Sequence, residues 1–239
     1  MRLLFRRIIF FLGYLLHHNH DSKVIYYHDI GKQYTEMGTD FSLMRRHFEI
    51  VSQQGYVFVP TVYQTRHQVM VCFDDGWLGI YDHKEELIKK HILPTVFIAV
   101  DLIGKEGYLS IDHIKELESL GFRFMAHTWS HQDLTTFDDH GLKQELRDSK
   151  EWLEKQFEHP FDSICFPMGR FSKKVIDKCF EYGFKQLYSS LPGGYYDMQG
   201  DGLICRNCAQ NMSPCEFLWM LNGRSLLFKY KLINQHVVK

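Results

Sequence analysis

Two short segments concentrate the groups able to hold a cation and move a proton. Asp74 and Asp75 follow the apolar run Val71-Cys72-Phe73 and precede Gly76. Neighbouring strand residues face opposite ways, so both carboxylates serve one site only if the chain turns there, and Gly76 permits a turn. Adjacent anions repel, and a cation beside them relieves the repulsion. The bland alternative is a helix cap followed by a solvated aspartate. The second segment is His127-Thr-Trp-Ser-His131. Histidines four apart fall on one face of a helical turn, a spacing that lets both imidazoles reach one metal. With 14 histidines in the chain, such pairs also arise by chance. Thr128 stands where the zinc-protease helix needs Glu, so that chemistry is excluded. Taken together, the segments offer two His ligands, one Asp ligand and a spare carboxylate as general base. Three protein ligands leave a coordination position open, as in catalytic metal sites. His and Asp donors admit one divalent ion, zinc first, with cobalt or nickel next.

These groups need elements to carry them. Seven short apolar runs bounded by turn residues read as buried strands: Val24–His28, Val69–Phe73, Thr95–Val100, Phe122–Ala126, Ser163–Phe166, Lys185–Ser189 and Leu203–Arg206. Helical patterns lie between them, at Phe41–Gln54, Tyr81–His91, Asp112–Leu120, Leu142–Phe157 and Lys173–Tyr182. Ser172 is placed to cap the last of these. Ser213 to Glu216 has capping-box spacing with Pro214 in the first turn. Strands alternating with helices predict an α/β fold with a parallel sheet, and seven units predict closure into a barrel with helices outside. Barrel enzymes keep chemistry at the C-terminal strand ends. Asp74-Asp75 and His127–His131 both follow predicted strands.

Three motifs carry a family resemblance. Phe73-Asp-Asp-Gly76, His127-Thr-Trp-Ser-His131 and Phe166-Pro-Met-Gly169-Arg170 resemble the first three motifs of the polysaccharide deacetylases, carbohydrate esterase family 4. Tyr27-His28-Asp29 is similar to the opening strand of many members, and the match runs from about Val24 to Arg206. The resemblance implies a distorted (β/α)7 barrel. It implies Asp74 as catalytic base, Asp75, His127 and His131 as metal ligands, and the Met168 backbone N–H as an oxyanion donor. The implied activity is metal-dependent removal of N-acetyl groups from a polysaccharide or oligosaccharide. A carbohydrate O-acetyl esterase, a non-catalytic carbohydrate-binding relative and an amidase for non-sugar amides stay open beside it. Two departures stand out. The third motif often has Arg two residues before its Pro, where this chain has Cys165; Arg206 is the candidate to orient Asp74 instead. The last strand, Leu203 to Cys208, holds no His to act as general acid. His28 is the substitute, set against a packed or surface histidine. The fourth motif is not recognisable in Leu191–Gly202. Trp77 and Trp129, inside the site motifs, could pack under a sugar ring or simply wall the site.

With 28 basic against 29 acidic residues among 239, the chain has no basic field for nucleic acid. Its partner is expected to be an acetylated carbohydrate. Of six cysteines, Cys72 and Cys165 lie in predicted strands, and Cys205 and Cys208 form a lone C-x-x-C; free thiols suit a reducing compartment. Residues 1–20 form a separate segment ahead of a single catalytic domain, 21–239. Three arginines within Met1–Arg7 precede the apolar run Ile8–Leu16, and His17-His-Asn-His20 follows where a signal peptide would have a small-residue cleavage site. The run is shorter than the roughly 20 residues that span a bilayer. It reads either as an amphipathic helix touching a membrane through residues 1–16 or as a first helix packed on the domain. The chain is accordingly expected in the cytoplasm or at a membrane, with secretion left open.

Overall fold

This computed structural model describes residues 2–223, 233 and 235–238. Helices α1 (Arg2–Leu16), α2 (Phe41–Gln53), α3 (Gly79–Asp82), α4 (Lys84–Lys89), α5 (Ile111–Ser119), α6 (Asp139–Leu142), α7 (Ser149–Phe157), α8 (Lys173–Glu181) and α9 (Pro214–Leu221) surround the strands. The strands are β1 (Lys23–Tyr27), β2 (Asp29–Ile30), β3 (Gly38–Thr39), β4 (Val57–Phe58), β5 (Gln68–Phe73), β6 (Thr95–Ile98) and β7 (Arg123–Ala126). They continue with β8 (Ser163–Cys165), β9 (Phe171–Ser172), β10 (Gln186–Tyr188), β11 (Leu203–Ile204), β12 (Arg206–Cys208) and β13 (Val237–Val238).

All the pairings of the main sheet are parallel, in the order β11-β10-β8-β7-β6-β5-β1-β12. Only Cys205 separates β11 from β12, so one interrupted strand pairs with β10 on one side and β1 on the other. The ladder therefore runs round a circuit of seven strands, broken at that residue. Alternation along each strand sorts side chains into two clusters. Val24, Tyr26, Cys72, Phe97, Cys165 and Tyr188 belong to an inner one, while Ile25, Tyr27, Phe73, Val96, Ile164 and Leu187 join the helix-facing core. Strands with both faces covered must be apolar throughout, and that is why they read as continuous apolar runs.

All seven expected strands form, with ends shifted by one or two residues; the third stops at Ile98, and Val100–Leu102 is a 3-10 turn. Ser172 caps α8 through the Val175 amide, and Ser213 and Glu216 form the capping box of α9. Two helices differ from the sequence reading. The one expected over Tyr81–His91 breaks at His83, which leaves helical angles (φ −110°, ψ 11°) with its imidazole on the Gly79 carbonyl. The one expected to start at Leu142 begins at Asp139, capped by Asp138, and contains a π-helical turn over Lys143–Asp148.

Asp29 is a buried acid in the segment leaving β1. Its Oδ1 accepts the Ile30 amide at 2.8 Å, and Oδ2 is buried without a partner. Gly79 packs hard against it: a Cβ there would stand 2.4 Å from Asp29 Oδ1. Burial raises the carboxyl to about 7, against the pull of the Ile30 and Gly79 amides. The folded protein then keeps a proton that the unfolded chain releases above its ordinary pKa of 3.8. Stability consequently falls as pH rises through the window between those values. Asp29→Asn removes the titration. The variant is expected to gain on the parent from pH 4 to 7.5, by at most about 4 kcal/mol. Urea unfolding at both pH values checks this, and parallel pH curves for the two proteins would contradict it.

Candidate metal and catalytic site

The first segment reverses at a strand end. The Asp74 amide still donates to the Tyr27 carbonyl at 3.0 Å, prolonging the β5–β1 ladder by one bond. Asp75 and Gly76 then both take positive φ, 71° and 77°. The turn thus begins one residue before the glycine expected to make it, and it is sharp enough to bring both carboxylates to the same mouth. A Cβ at Gly76 would stand 2.9 Å from the Ile98 methyl, so only glycine fits there. The second segment departs from expectation. His127 to His131 is not a helical turn but an irregular loop, with Thr128 at φ 71° and His131 at φ 57°. Two residues in the left-handed region replace the helical spacing and bring the rings to 4.8 Å between centroids.

The three expected ligands meet. His131 Nε2 lies 3.0 Å and His127 Nε2 3.4 Å from Asp75 Oδ1. Neither approach has hydrogen-bond geometry, and Oδ1 is a buried oxygen without a partner. One atom from each residue falls within 4.8 Å of the others, a donor set that fits a single cation. The surroundings fit as well. His127 Nδ1 lies 2.8 Å from the Cys165 carbonyl, which only accepts, so Nδ1 carries the proton and Nε2 presents its lone pair. Trp77 Nε1 donates to Asp75 Oδ2 at 3.2 Å and leaves Oδ1 facing the imidazoles. That indole stacks on Tyr108 at 4.0 Å. Burial pushes Asp75 up, but the two imidazoles outweigh it and hold the carboxyl well below its usual range.

Asp74 sits in a different environment. Arg206 Nη1 and Nη2 grip its two oxygens at 2.6 and 2.8 Å. The guanidinium is fully buried, lies 4.3 Å from the Tyr26 ring centroid and 5.2 Å from that of Phe97, and donates through Nε to the Ser189 carbonyl. Burial pushes Asp74 up; the charge and hydrogen bonds of Arg206, with His127 and His28 adding to them, bring it below its ordinary value. The Cys165 thiol, standing in the third motif's Arg position, touches both Asp74 and Arg206, and burial drives it far above its ordinary pKa.

The remaining expected residues lie at the rim. His28 follows β1, half-buried, with Nδ1 2.5 Å from Gln210 Oε1. Met168 sits in the turn after β8 with φ 55° and its side chain 56% exposed. Arg170, two residues on, reaches Asp133 at 2.7 Å and ties this loop to the segment after His131. Trp129 is partly buried against the helix-facing core.

The sequence reading missed Glu145. Its Oε2 accepts the Trp129 and Ser130 amides at 3.1 and 3.0 Å, and Oε1 accepts the Ser130 hydroxyl at 2.6 Å. One buried carboxylate therefore holds the strained loop between the two histidines. Helical periodicity put Leu142, Leu146, Trp152 and Leu153 on the packed side and gave no role to Glu145; the π-helical turn carries its carboxylate inward. Glu145→Ala strands three donors and is expected to cost about 3 kcal/mol. Denaturant unfolding measures the loss. Hydrogen exchange at the Trp129 and Ser130 amides should speed up beyond the global change, and protection unchanged at both would show that other contacts hold the loop.

Comparisons with known proteins agree with this geometry. A family model described as polysaccharide deacetylase matches residues 62–187. An uncharacterized 30.6 kDa protein from the fumA 3' region of Geobacillus stearothermophilus is 25% identical over 146 residues, covering 60% of this chain and 53% of that protein. The chain thus spans about half the length of this curated relative. Among solved structures, the Streptococcus pyogenes deacetylase PplD in complex with acetate has a TM-score of 0.76 at 22% identity, covering 85% of this chain and 99% of its own. BC0361, a polysaccharide deacetylase from Bacillus cereus, gives 0.73 at 22% identity over 84% and 69%. IcaB from Ammonifex degensii gives 0.71 at 18% over 85% and 98%. At such identities these likenesses speak for the α/β fold. The family model takes in more than half of the sequence, the stretch bearing Asp74, Asp75, His127, His131 and Met168, and the chain belongs to the polysaccharide deacetylase family.

Proposed function

We propose that this protein is a metal-dependent hydrolase that removes N-acetyl groups from a polysaccharide or oligosaccharide. One observation carries the reading: a buried, arginine-gripped carboxylate stands beside an Asp75–His127–His131 set whose shared oxygen faces both imidazoles without a hydrogen-bond partner. Asp75, His127 and His131 would hold the ion, with zinc favoured by the donor set and cobalt or nickel next. When bound, a divalent cation supplies Lewis-acid polarisation of a water and of the acetyl carbonyl.

The protein's own groups do the rest. Asp74, kept ionised by Arg206, takes the proton from the attacking water. Arg206 fixes both oxygens of that base and so limits where the proton can be accepted. The Met168 amide, in the turn after β8, donates to the oxygen that develops negative charge. His28, half-buried at the rim after β1 with Nδ1 beside Gln210, supplies a proton to the leaving amine. The acetate bound to the streptococcal deacetylase is the acid product that this reading expects here. A carbohydrate O-acetyl esterase is the second reading. The last strand offers no imidazole, and an alkoxide leaving group needs less help from an acid.

Acetate release from N-acetylated and O-acetylated oligosaccharides, with and without chelator, tests both. N-acetyl substrates are expected to be cleaved and chelator to stop the reaction. Asp74→Asn should lower the rate about 10²–10⁴-fold while one equivalent of zinc stays bound. His127→Ala should lose the zinc. Zinc lost from Asp74→Asn would make Asp74 a ligand instead, and zinc fully kept by His127→Ala would remove the proposed triad.

A further inference from the structure

The first helix shows two unlike faces. Ile9, Phe10 and Gly13 are buried, Phe11 meets Trp219 of α9 edge-on at 5.2 Å, and Arg7 reaches the buried Glu216 carboxylate at 3.7 Å. Beyond the Phe11–Trp219 contact, the described residues give the other face no such cover. Ile8, Phe11, Leu12, Leu15 and Leu16 are 41–72% exposed, five of the eleven large hydrophobics that stand exposed among the described residues. At 100° per residue they share one half of the helix circumference, with Arg7 at its edge. An apolar patch of this kind on a folded domain marks a surface that something covers.

Charge identifies what covers it. Residues 1–20 contain Arg2, Arg6 and Arg7 and no acidic residue. From Phe217 to Lys239 the sequence holds Arg224, Lys229, Lys231 and Lys239, again with no acid. Gly223, which precedes Arg224, packs on the first helix: a Cβ there would stand 2.8 Å from the Tyr14 backbone. The sequence thus sets seven basic residues in two acid-free stretches of a chain whose net charge is −1. No described helix is long and apolar enough to cross a membrane. We propose that α1 is an interfacial anchor: it lies in the surface plane of an anionic lipid bilayer, with Ile8, Leu12, Leu15 and Leu16 in the acyl boundary and the basic ends against the headgroups.

Co-sedimentation of the full chain with vesicles tests this. One set is phosphatidylcholine alone, the other phosphatidylcholine with phosphatidylglycerol. Partitioning is expected to be about tenfold stronger on the anionic set and to fall with added salt. Leu12→Asp with Leu15→Asp should abolish it without altering the melting temperature, since both side chains are exposed; the milder Leu15→Ser should weaken it. Lys229→Glu with Lys231→Glu should remove the preference for anionic lipid and leave the residual apolar binding. Absence of binding to either vesicle, or equal binding by the Leu12→Asp, Leu15→Asp protein, overturns the proposal. A concentration-dependent dimer that this variant abolishes, without vesicle binding, assigns the face to a second copy. If instead deleting residues 224–232 is needed before vesicles bind, the chain's own segment covers the helix and the proposal also fails.

Discussion

The Arg206–Asp74 pair is the contact on which the rest is built. Two opposite charges are taken wholly out of water, and such burial is recovered only when geometry is good and every remaining donor is satisfied. Here the guanidinium uses both terminal nitrogens on both carboxylate oxygens, spends Nε on the Ser189 carbonyl and lies near the Tyr26 and Phe97 rings. Those partners come from β1, β5, β6 and the end of β10, while Arg206 itself opens β12. One side chain therefore ties together strands from both sides of the break at Cys205. The circuit of strands closes where the Asp74 carboxylate is held, so sheet closure and the ionisation of Asp74 are a single constraint.

The two adjacent aspartates show how one turn makes two environments. Asp74 faces a permanent cation that no pH in the working range can deprotonate. Asp75 faces two imidazoles, which are bases and ligands, with an indole on its outer oxygen. A strand continuing straight would have sent one carboxylate into the barrel and the other to the helices. Positive φ at Asp75 and Gly76 prevents that. Strain in two successive residues is the cost of aligning them, and close packing of Gly76 on Ile98 keeps it from relaxing.

Sequence reading recovered the strands because burial on both faces forces a composition that no loop shares. It picked out Asp75, His127 and His131, which the fold brings within 4.8 Å of one another, because residue type and position after a strand suffice to name them. Geometry was harder. The i, i+4 spacing of His127 and His131 suggested a helical turn, yet their convergence comes from left-handed angles at Thr128 and His131, which residue type does not announce. Arg206 was legible indirectly: with Cys165 in the usual arginine position, a buried base needed its cation from elsewhere. Glu145 was not legible. Its role depends on a π-helical turn inside a helix whose pattern gives a glutamate every reason to be solvated. Residues 1–20 left two readings open; Ile9, Phe10 and Gly13 pack on the domain, and contact with a membrane is a proposal.

Placing the guanidinium on β12 and not on β8 has a consequence for the His127 imidazole. Cys165 contributes its carbonyl to His127 Nδ1 and its thiol to Asp74 and Arg206. A long cationic side chain at that position would bring a second positive charge to a lumen that already holds one. The small neutral thiol avoids this, and its high pKa keeps it from adding an anion. Arg206 in turn approaches from the last strand, so the β8 backbone is left to orient the imidazole alone. Exchanging the two residue types between these strands would leave the same atoms in the barrel. It would, however, place the arginine on the strand whose carbonyl sets the His127 tautomer, and any shift made to accommodate it would be passed directly to that imidazole. The pairing of a small residue on β8 with arginine on β12 is therefore a coupled choice, in which Asp74 and His127 are positioned by different strands.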